Sequence, residues 1–379
     1  MFLVVGVVFA LLAFLLTRGG GPDAEPRGVS PSSAARVRSS GLLVYAAPDR
    51  RGTTRLWRWN LQRGTVAKGP RIREPLALVN VGSPDGGRLG VTSDVGNGTR
   101  EAIVLDSLDA DAVTTSLGRA DFITWVRQGT SAIFVDRGPL LDGCRREISV
   151  FVEQVRVEGT EVVVHDTICG DVLSAGRTSI GYFLTEQGLG RVDVVGEGYP
   201  DAGVLLEGFG VIAISPGGDM LVTPDTAFLP TIVPTRPVTG DYDPPPSWIA
   251  GPAFAYRQFR GPPVPYLVRG VALRVDEVLV YGPGDAIALV VGRLGGDRPG
   301  LWELPLGVER VESTTPRYVA DVGGVTAAAY ASDGSAFVVT EGRLWLLGDH
   351  RLTPLDMPGV APVPNGPLAW IAREPTESG

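Results

Sequence analysis

Histidine, cysteine and lysine are nearly missing from this chain of 379 residues, and each scarcity excludes a chemistry. Its histidines are His165 and His350 and its cysteines Cys144 and Cys169. A zinc site of four cysteines or three histidines cannot be assembled from these, and one of two cysteines and two histidines would consume them all. Lys68 is the single lysine in the sequence, which removes Schiff-base and P-loop lysine chemistry almost entirely. No metal and no cofactor is expected. Positive charge is also in deficit: the net charge is −8, so a phosphate backbone is repelled on average and no nucleic-acid partner is expected. No Gly-x-Ser-x-Gly elbow occurs, and no catalytic residue is assigned.

What the chain has in abundance is turn residues. Its 51 glycines and 31 prolines lie well above average usage, while the hydrophobic fraction of 44 % is that of an ordinary globular protein. Such a composition describes a folded chain punctuated by turns, long enough for two domains or one large repeat architecture.

Residues Phe2 to Leu16 are apolar or glycine throughout and end at Thr17-Arg18-Gly19-Gly20-Gly21-Pro22. Fifteen residues reach about 22 Å as a helix, short of the roughly 30 Å hydrocarbon core but compatible with a thinly anchored span or a signal sequence. Residues 1–17 are therefore expected to be a transmembrane or signal-anchor helix, and 18–40 a flexible linker. Cleavage of the helix is left open, although no Ala-x-Ala site precedes the polar stretch. Topology is contested. Arg18, Arg27, Arg36 and Arg38 follow the helix, which by the positive-inside rule favours a cytoplasmic body.

The cysteines argue the other way. Ile148 to Val157 and Thr160 to Ile168 read as two β runs separated by Glu158-Gly159, a hairpin signal. With Val157 facing Thr160, Cys169 falls opposite Ile148, four residues from Cys144. A Cys144–Cys169 disulfide is expected, and with it an oxidising compartment. The alternative is a pair of buried free thiols. On balance the body is expected to be membrane-anchored and extracytoplasmic, at a bacterial cell envelope.

Internal repeats decide the fold class. Ser83-Pro84-Asp85-Gly86-Gly87-Arg88-Leu89-Gly90-Val91-Thr92-Ser93-Asp94 has near-copies at Ser215 to Val222 and Ser332 to Val339, and a looser one at Gln128 to Val135. A second phrase repeats as Arg55-Leu56-Trp57, Gly300-Leu301-Trp302 and Arg343-Leu344-Trp345. Second strands of these units are expected near residues 42, 88, 131, 178, 218, 286 and 335, a period of about 40 to 50 residues that suits a four-stranded propeller blade. The expected fold is an all-β propeller over 41–373, with seven blades, six or eight remaining open, and a disordered tail at 374–379. Closure is expected from an orphan strand, Pro367 to Ala372, laid beside Leu42 to Ala46.

The Ser83 to Asp94 phrase, with Glu101, Ile103 and the Leu105-Asp106 end, resembles the TolB-type (WD-like) propeller repeat. That resemblance implies the propeller fold and an extracytoplasmic binding scaffold. Asp85 is replaced by Gly217 in a later unit, and the Gln128 unit has no turn proline.

Other features read as structure. Asp85, Asp94, Asp219 and Asp333 occupy equivalent turns and are expected to cap local backbone N–H groups. Asp94 to Glu101 reads as a hairpin loop in place of a calcium loop, and Trp57, Trp302 and Trp345 as packing residues. His350 sits in an ordinary turn. Residues 230–265 break the period and hold ten of the prolines, with Asp241, Tyr242, Asp243, Trp248, Tyr256 and Phe259 interleaved. These six residues are the candidate partner-binding set, on a semi-rigid aromatic arm. The alternatives are an arm folded back as a structural cap, or a decorative insertion. The functional expectation is a membrane-anchored, non-enzymatic propeller that binds a protein partner. The alternative is an enzyme of hydrolase or lyase type, or a small-ligand sensor, with its site at the propeller mouth.

Overall fold

The computed structural model describes residues 41–49, 52–79, 89–126, 131–142, 145–154, 160–175, 180–185, 188–193, 203–206, 210–214, 220–223, 251–252, 254–256, 264–295, 299–306, 315–321, 324–358, 362 and 364–372. The expected anchor, linker and tail lie outside them. Among the described residues no helix is long and apolar enough to cross a membrane.

The architecture is a succession of antiparallel sheets. Strands β1 (Leu42–Pro48), β2 (Thr54–Asn60) and β3 (Thr65–Arg71) are followed by the sheet β4 (Pro75–Val79), β5 (Leu89–Gly96), β6 (Thr99–Leu105) and β7 (Thr114–Arg119). A seven-stranded sheet comprises β8 (Phe122–Val126), β9 (Ser131–Asp142), β10 (Arg145–Gln154), β11 (Thr160–Ala175), β12 (Ile180–Thr185), β13 (Gly188–Asp193) and β14 (Gly203–Leu206). Next come β15 (Gly210–Ile214), β16 (Met220–Thr223), β17 (Gly251–Pro252), β18 (Phe254–Tyr256), β19 (Val264–Pro265) and β20 (Leu267–Val268). Of these, β15, β16, β18 and β19 form one sheet, while β17 and β20 pair with β21 (Val271–Tyr281). β21 continues into β22 (Ile287–Leu294), β23 (Gly300–Pro305) and β24 (Arg317–Ala320). The last sheet is β25 (Val325–Tyr330), β26 (Ala336–Thr340), β27 (Arg343–Gly348) and β28 (Arg351–Pro354). The final strand, β29 (Leu368–Ile371), returns to β1.

The expected second strands begin at Leu42, Leu89, Ser131, Ile180, Met220, Ile287 and Ala336, each within two residues of its sequence-based position. Periodicity locates them well because these strands are paired on both sides, and β1 and β26, buried on both faces, read as continuous apolar runs. Tight turns fix the registers. Asn97-Gly98, Arg269-Gly270, Glu341-Gly342 and Asp349-His350 all have positive φ at both positions, the two-residue geometry whose twist matches that of the flanking strands. The Asp94 to Glu101 segment is thus a hairpin. Asp94 accepts the Gly96 N–H at 2.6 Å and Asp333 the Ser335 N–H at 3.0 Å, so both aspartates act as local caps.

Neighbouring sheets pack face to face, the arrangement of propeller blades. Phe337, Val339, Leu344 and Leu346 of the β25–β28 sheet share a buried core with Leu43, Tyr45, Trp59 and Trp370. The other face of the β1 sheet, through Val44, Leu56 and Ile371, packs on Leu89, Val91 and Leu105. Beyond that sheet, Ala102 and Val104 meet Ile123 and Phe134. On the other side, Leu289 and Leu301 pack on Ala336, Val338 and Leu347. Of the repeated tryptophans, Trp57, 8 % exposed, belongs to the first of these interfaces; Trp302, 5 % exposed, packs with Tyr266, Leu273 and Val290, its Nε1 donating to the Gly292 carbonyl at 3.1 Å, and Trp345 is half-buried.

The expected closure is present. β29 pairs antiparallel with β1, Leu42 opposite Ile371 and Tyr45 opposite Leu368. The Ala46 N–H donates to the Pro367 carbonyl, and the Asn365 N–H to the Ala46 carbonyl. The first sheet is thereby completed by strands from the two ends of the described chain, and its inner edge is covered.

One register differs from expectation. Thr160 faces Glu153, not Val157, and Cys169 faces Arg145, not Ile148. At the tip the displacement is an even number of residues, which leaves every side chain on its own face, so the apolar pattern cannot distinguish the two registers. A bulge between Val150 and Phe151 shifts the base of the hairpin again, and the Phe151 ring stacked on Phe134 at 4.8 Å holds β10 against β9 in the observed pairing.

Candidate functional site

The edge strands β4, β21, β25 and β29 belong to four different sheets and line one cavity of about 520 Å³. Aliphatic side chains, Leu78, Val278, Val280, Ala328 and Leu368 among them, share its walls with polar surface. Polar atoms come from Thr326, Asn365, Tyr281 and Tyr330, and among the described residues the single charged one in the lining is Glu277.

Backbone irregularity puts Glu277 there. Leu273 and Val275 are fully buried, and strict alternation from them would drive position 277 into the same packed face. Register shifts between Val275 and Glu277 and between Val278 and Val280 break the alternation, as bulges do when they re-aim a side chain. Asp276 accepts from Arg293 Nε at 2.7 Å, while Glu277, exposed to solvent, contributes to the cavity lining. Desolvation by the apolar walls holds the Glu277 carboxyl above the usual carboxylate range. Tyr330, 8 % exposed, has a hydroxyl with no hydrogen-bond partner. Burial first, and then the Glu303 carboxylate, push its ionisation upward.

Glu303 anchors a second cluster, between the β21–β24 and β25–β28 sheets. This carboxylate is 5 % exposed and accepts from His350 Nδ1 at 2.6 Å. The Arg317 guanidinium contacts His350 Nε2. A hydrogen on Nδ1 directed at Glu303 leaves Nε2 as acceptor for Arg317, so both ring nitrogens are engaged and the imidazole has no free lone pair for general-base work. Nearby, Tyr318 packs edge-on against Trp302 at 5.0 Å and donates to Asp321. His350, expected in an ordinary turn, does occupy one. Its left-handed φ of 60° in the tight turn, together with the Glu303 contact, makes that turn a tie between sheets.

Sequence reasoning missed Glu277, Glu303 and Arg317. The signals were there: Glu303 interrupts the apolar run Leu301-Trp302-Glu303-Leu304, and the consecutive acids Asp276-Glu277 interrupt a strand. Neither pattern says which way the side chain points.

Of the residues expected to bind a partner, Asp241, Tyr242, Asp243, Trp248 and Phe259 lie outside the described residues. Tyr256 lies on β18, opposite Met220 of β16, so the later part of the 230–265 segment contributes strands to two sheets. Cys144 also lies outside the described residues, and the backbone of Cys169 sits opposite Arg145, the neighbour of Cys144. No group of three or more potential metal ligands occurs among the described residues.

No protein-family model matches the chain, and a comparison with curated proteins gives no match. Solved structures do match. A protein assigned as a 6-phosphogluconolactonase from Bacteroides fragilis aligns with a TM-score of 0.52 at 11 % identity, covering 89 % of this chain and 99 % of that one. The acylaminoacyl peptidase of Pyrococcus horikoshii aligns with a TM-score of 0.50 at 11 % identity, over 86 % of this chain and 54 % of that one. TolB from Acinetobacter baumannii aligns with a TM-score of 0.44 at 10 % identity, over 87 % of this chain. The chain thus spans about half of the peptidase and 66 % of the TolB chain. At such identities the likeness is one of fold. With the successive face-to-face sheets, it defines the class as an all-β propeller.

Proposed function

We propose that this chain is a membrane-tethered, seven-bladed propeller that serves as a protein-binding or assembly scaffold at the bacterial cell envelope, with no catalytic step of its own. The seven-blade count is supported by dividing the seven-stranded sheet at Cys169/Gly170, where the partner of β11 changes from β10 to β12. Tethering rests on the apolar run Phe2 to Leu16. A Cys144–Cys169 disulfide would support an extracytoplasmic body.

The observation that carries the scaffold reading is the hairpin directly after the proline-rich segment. Leu267 is 42 % and Val271 45 % exposed, on either side of the Arg269-Gly270 turn. This exposed apolar tip follows the Tyr242 and Trp248 segment in sequence; Tyr and Trp are residue types that anchor interfaces, and proline limits the entropy lost on docking. Asp241 and Asp243 favour a partner bearing Arg or Lys.

Site-specific photo-crosslinkers at Tyr242, Leu267 and Val271 test this in intact cells. All three positions are expected to trap the same protein, and exchanging residues 230–250 for a Gly/Ser linker is expected to abolish the adduct at 267 and 271 with the melting temperature retained. That exchange spares β17 and β18. Absence of any shared adduct refutes the scaffold reading, and a collapsed melting transition shows that the arm is a structural cap.

A further inference from the structure

We propose that the cavity between β4, β21, β25 and β29 binds a small amphipathic monocation, an ammonium or guanidinium group carried on an apolar body, with Glu277 as its counter-ion. The inference is independent of the scaffold reading and concerns a different surface.

Three observations lead to it. The cavity, about 520 Å³, has the size of sites that hold small organic ligands. Among the described residues its lining mixes aliphatic and aromatic side chains with polar surface and holds a single charge, negative. The nearest acid in sequence, Asp276, is already paired with Arg293, whereas Glu277 has no ion-pair or hydrogen-bond partner among the described residues. Two bulges in one strand bring this exposed carboxylate into the cavity lining.

A carboxylate facing apolar walls is tolerable while water reaches it. A wholly apolar ligand that expelled the water would strand the charge, at a large desolvation cost. An anionic ligand would add like-charge repulsion. A ligand with one cation restores the lost solvation through a charge-assisted hydrogen bond, and its apolar remainder covers Leu78, Val278 and Leu368. Thr326 and Asn365 add neutral polar contacts at the same wall. One carboxylate matches one positive charge, which distinguishes the expected ligand from a polyamine or a divalent metal ion, both of which need several acids.

The test is calorimetric titration of the detergent-solubilised full-length chain with three probes of one shape: 4-phenylbutylamine, 4-phenylbutanol and 4-phenylbutyrate. The amine is expected to bind one per chain, about 10- to 100-fold more tightly than the alcohol, the range of a hydrogen bond to a charged group. Glu277→Gln is expected to bring the amine down to the affinity of the alcohol while leaving that of the alcohol unchanged. Glu277→Lys is expected to exchange the preference, so that the carboxylate binds and the amine does not. If Glu277→Gln fails to fold, the Lys variant carries the decision alone. No binding of the amine to the wild-type chain, undiminished binding to either variant, or equal affinity for the amine and the carboxylate overturns the proposal.

Discussion

Replacing Trp370 with alanine tests the closure of the ring at its central contact. The indole is 7 % exposed and stacks on Phe337 at 5.6 Å between centroids, with 15° between planes. It packs over Gly41, where an added Cβ would meet the ring at 2.6 Å. Its backbone lies opposite Leu43, and its neighbours in the core include Tyr45 and Leu368. Truncation therefore opens a cavity shared by two sheets, and relaxation is restrained because both walls are held by strand pairing. Loss of a buried tryptophan of this kind costs about 3–5 kcal/mol. For a domain of this size that corresponds to a fall in Tm of about 5–10 °C. Differential scanning fluorimetry with near-ultraviolet circular dichroism measures it, and Val113→Ala serves as control, since Val113 is 84 % exposed and its truncation is expected to stay within about 0.5 kcal/mol. Removing residues 366–379 extends the test. It strips Leu368, Trp370 and Ile371 from the core and uncovers the edge of β1, a loss on the order of the entire stability of an ordinary domain, 5–15 kcal/mol. The cooperative transition is expected to vanish. A Trp370→Ala variant melting within about 1 °C of the wild type, or a truncated chain with an unchanged transition, refutes the reasoning.

Alkylation before reduction, followed by mass spectrometry of the chain taken from its native membrane, is expected to find Cys144 joined to Cys169. The bridge closes a loop of about 25 residues, and its reduction is expected to cost about 3 kcal/mol. Two alkylated thiols refute the pairing. Tyr318 is expected to ionise at about 12, raised by desolvation and by the Asp321 carboxylate. With the ring 48 % exposed, the carboxylate is the contact a variant can remove, and ultraviolet titration of Asp321→Asn is expected to show the value fall toward 10. Because the folded value is raised, the stabilisation is fully present below the ordinary phenol pKa of about 10 and is lost as the pH climbs through about 12. An unshifted Tyr318 refutes the contact.

The sequence by itself determined the all-β class, the positions of the second strands, the closing strand and the capping role of Asp94 and Asp333. Each depends on information within a few residues of the chain: alternation of apolar positions, residues able to adopt positive φ, and recurrence of a phrase. The tertiary structure decided what such local patterns leave degenerate. At the tip of the β10–β11 hairpin an even displacement preserves every face, so the apolar pattern could not choose the register, and the bulge between Val150 and Phe151 that shifts its base is visible only once the strands are paired. The direction of Glu277 depended on bulges that appear only when β21 is paired with β22. The partner of Glu303, His350, comes from the next sheet, and Arg317 reaches that imidazole from the sheet of Glu303. Side-chain direction and contacts between sheets arise from the sum of many pairings, and no short window of sequence contains that sum.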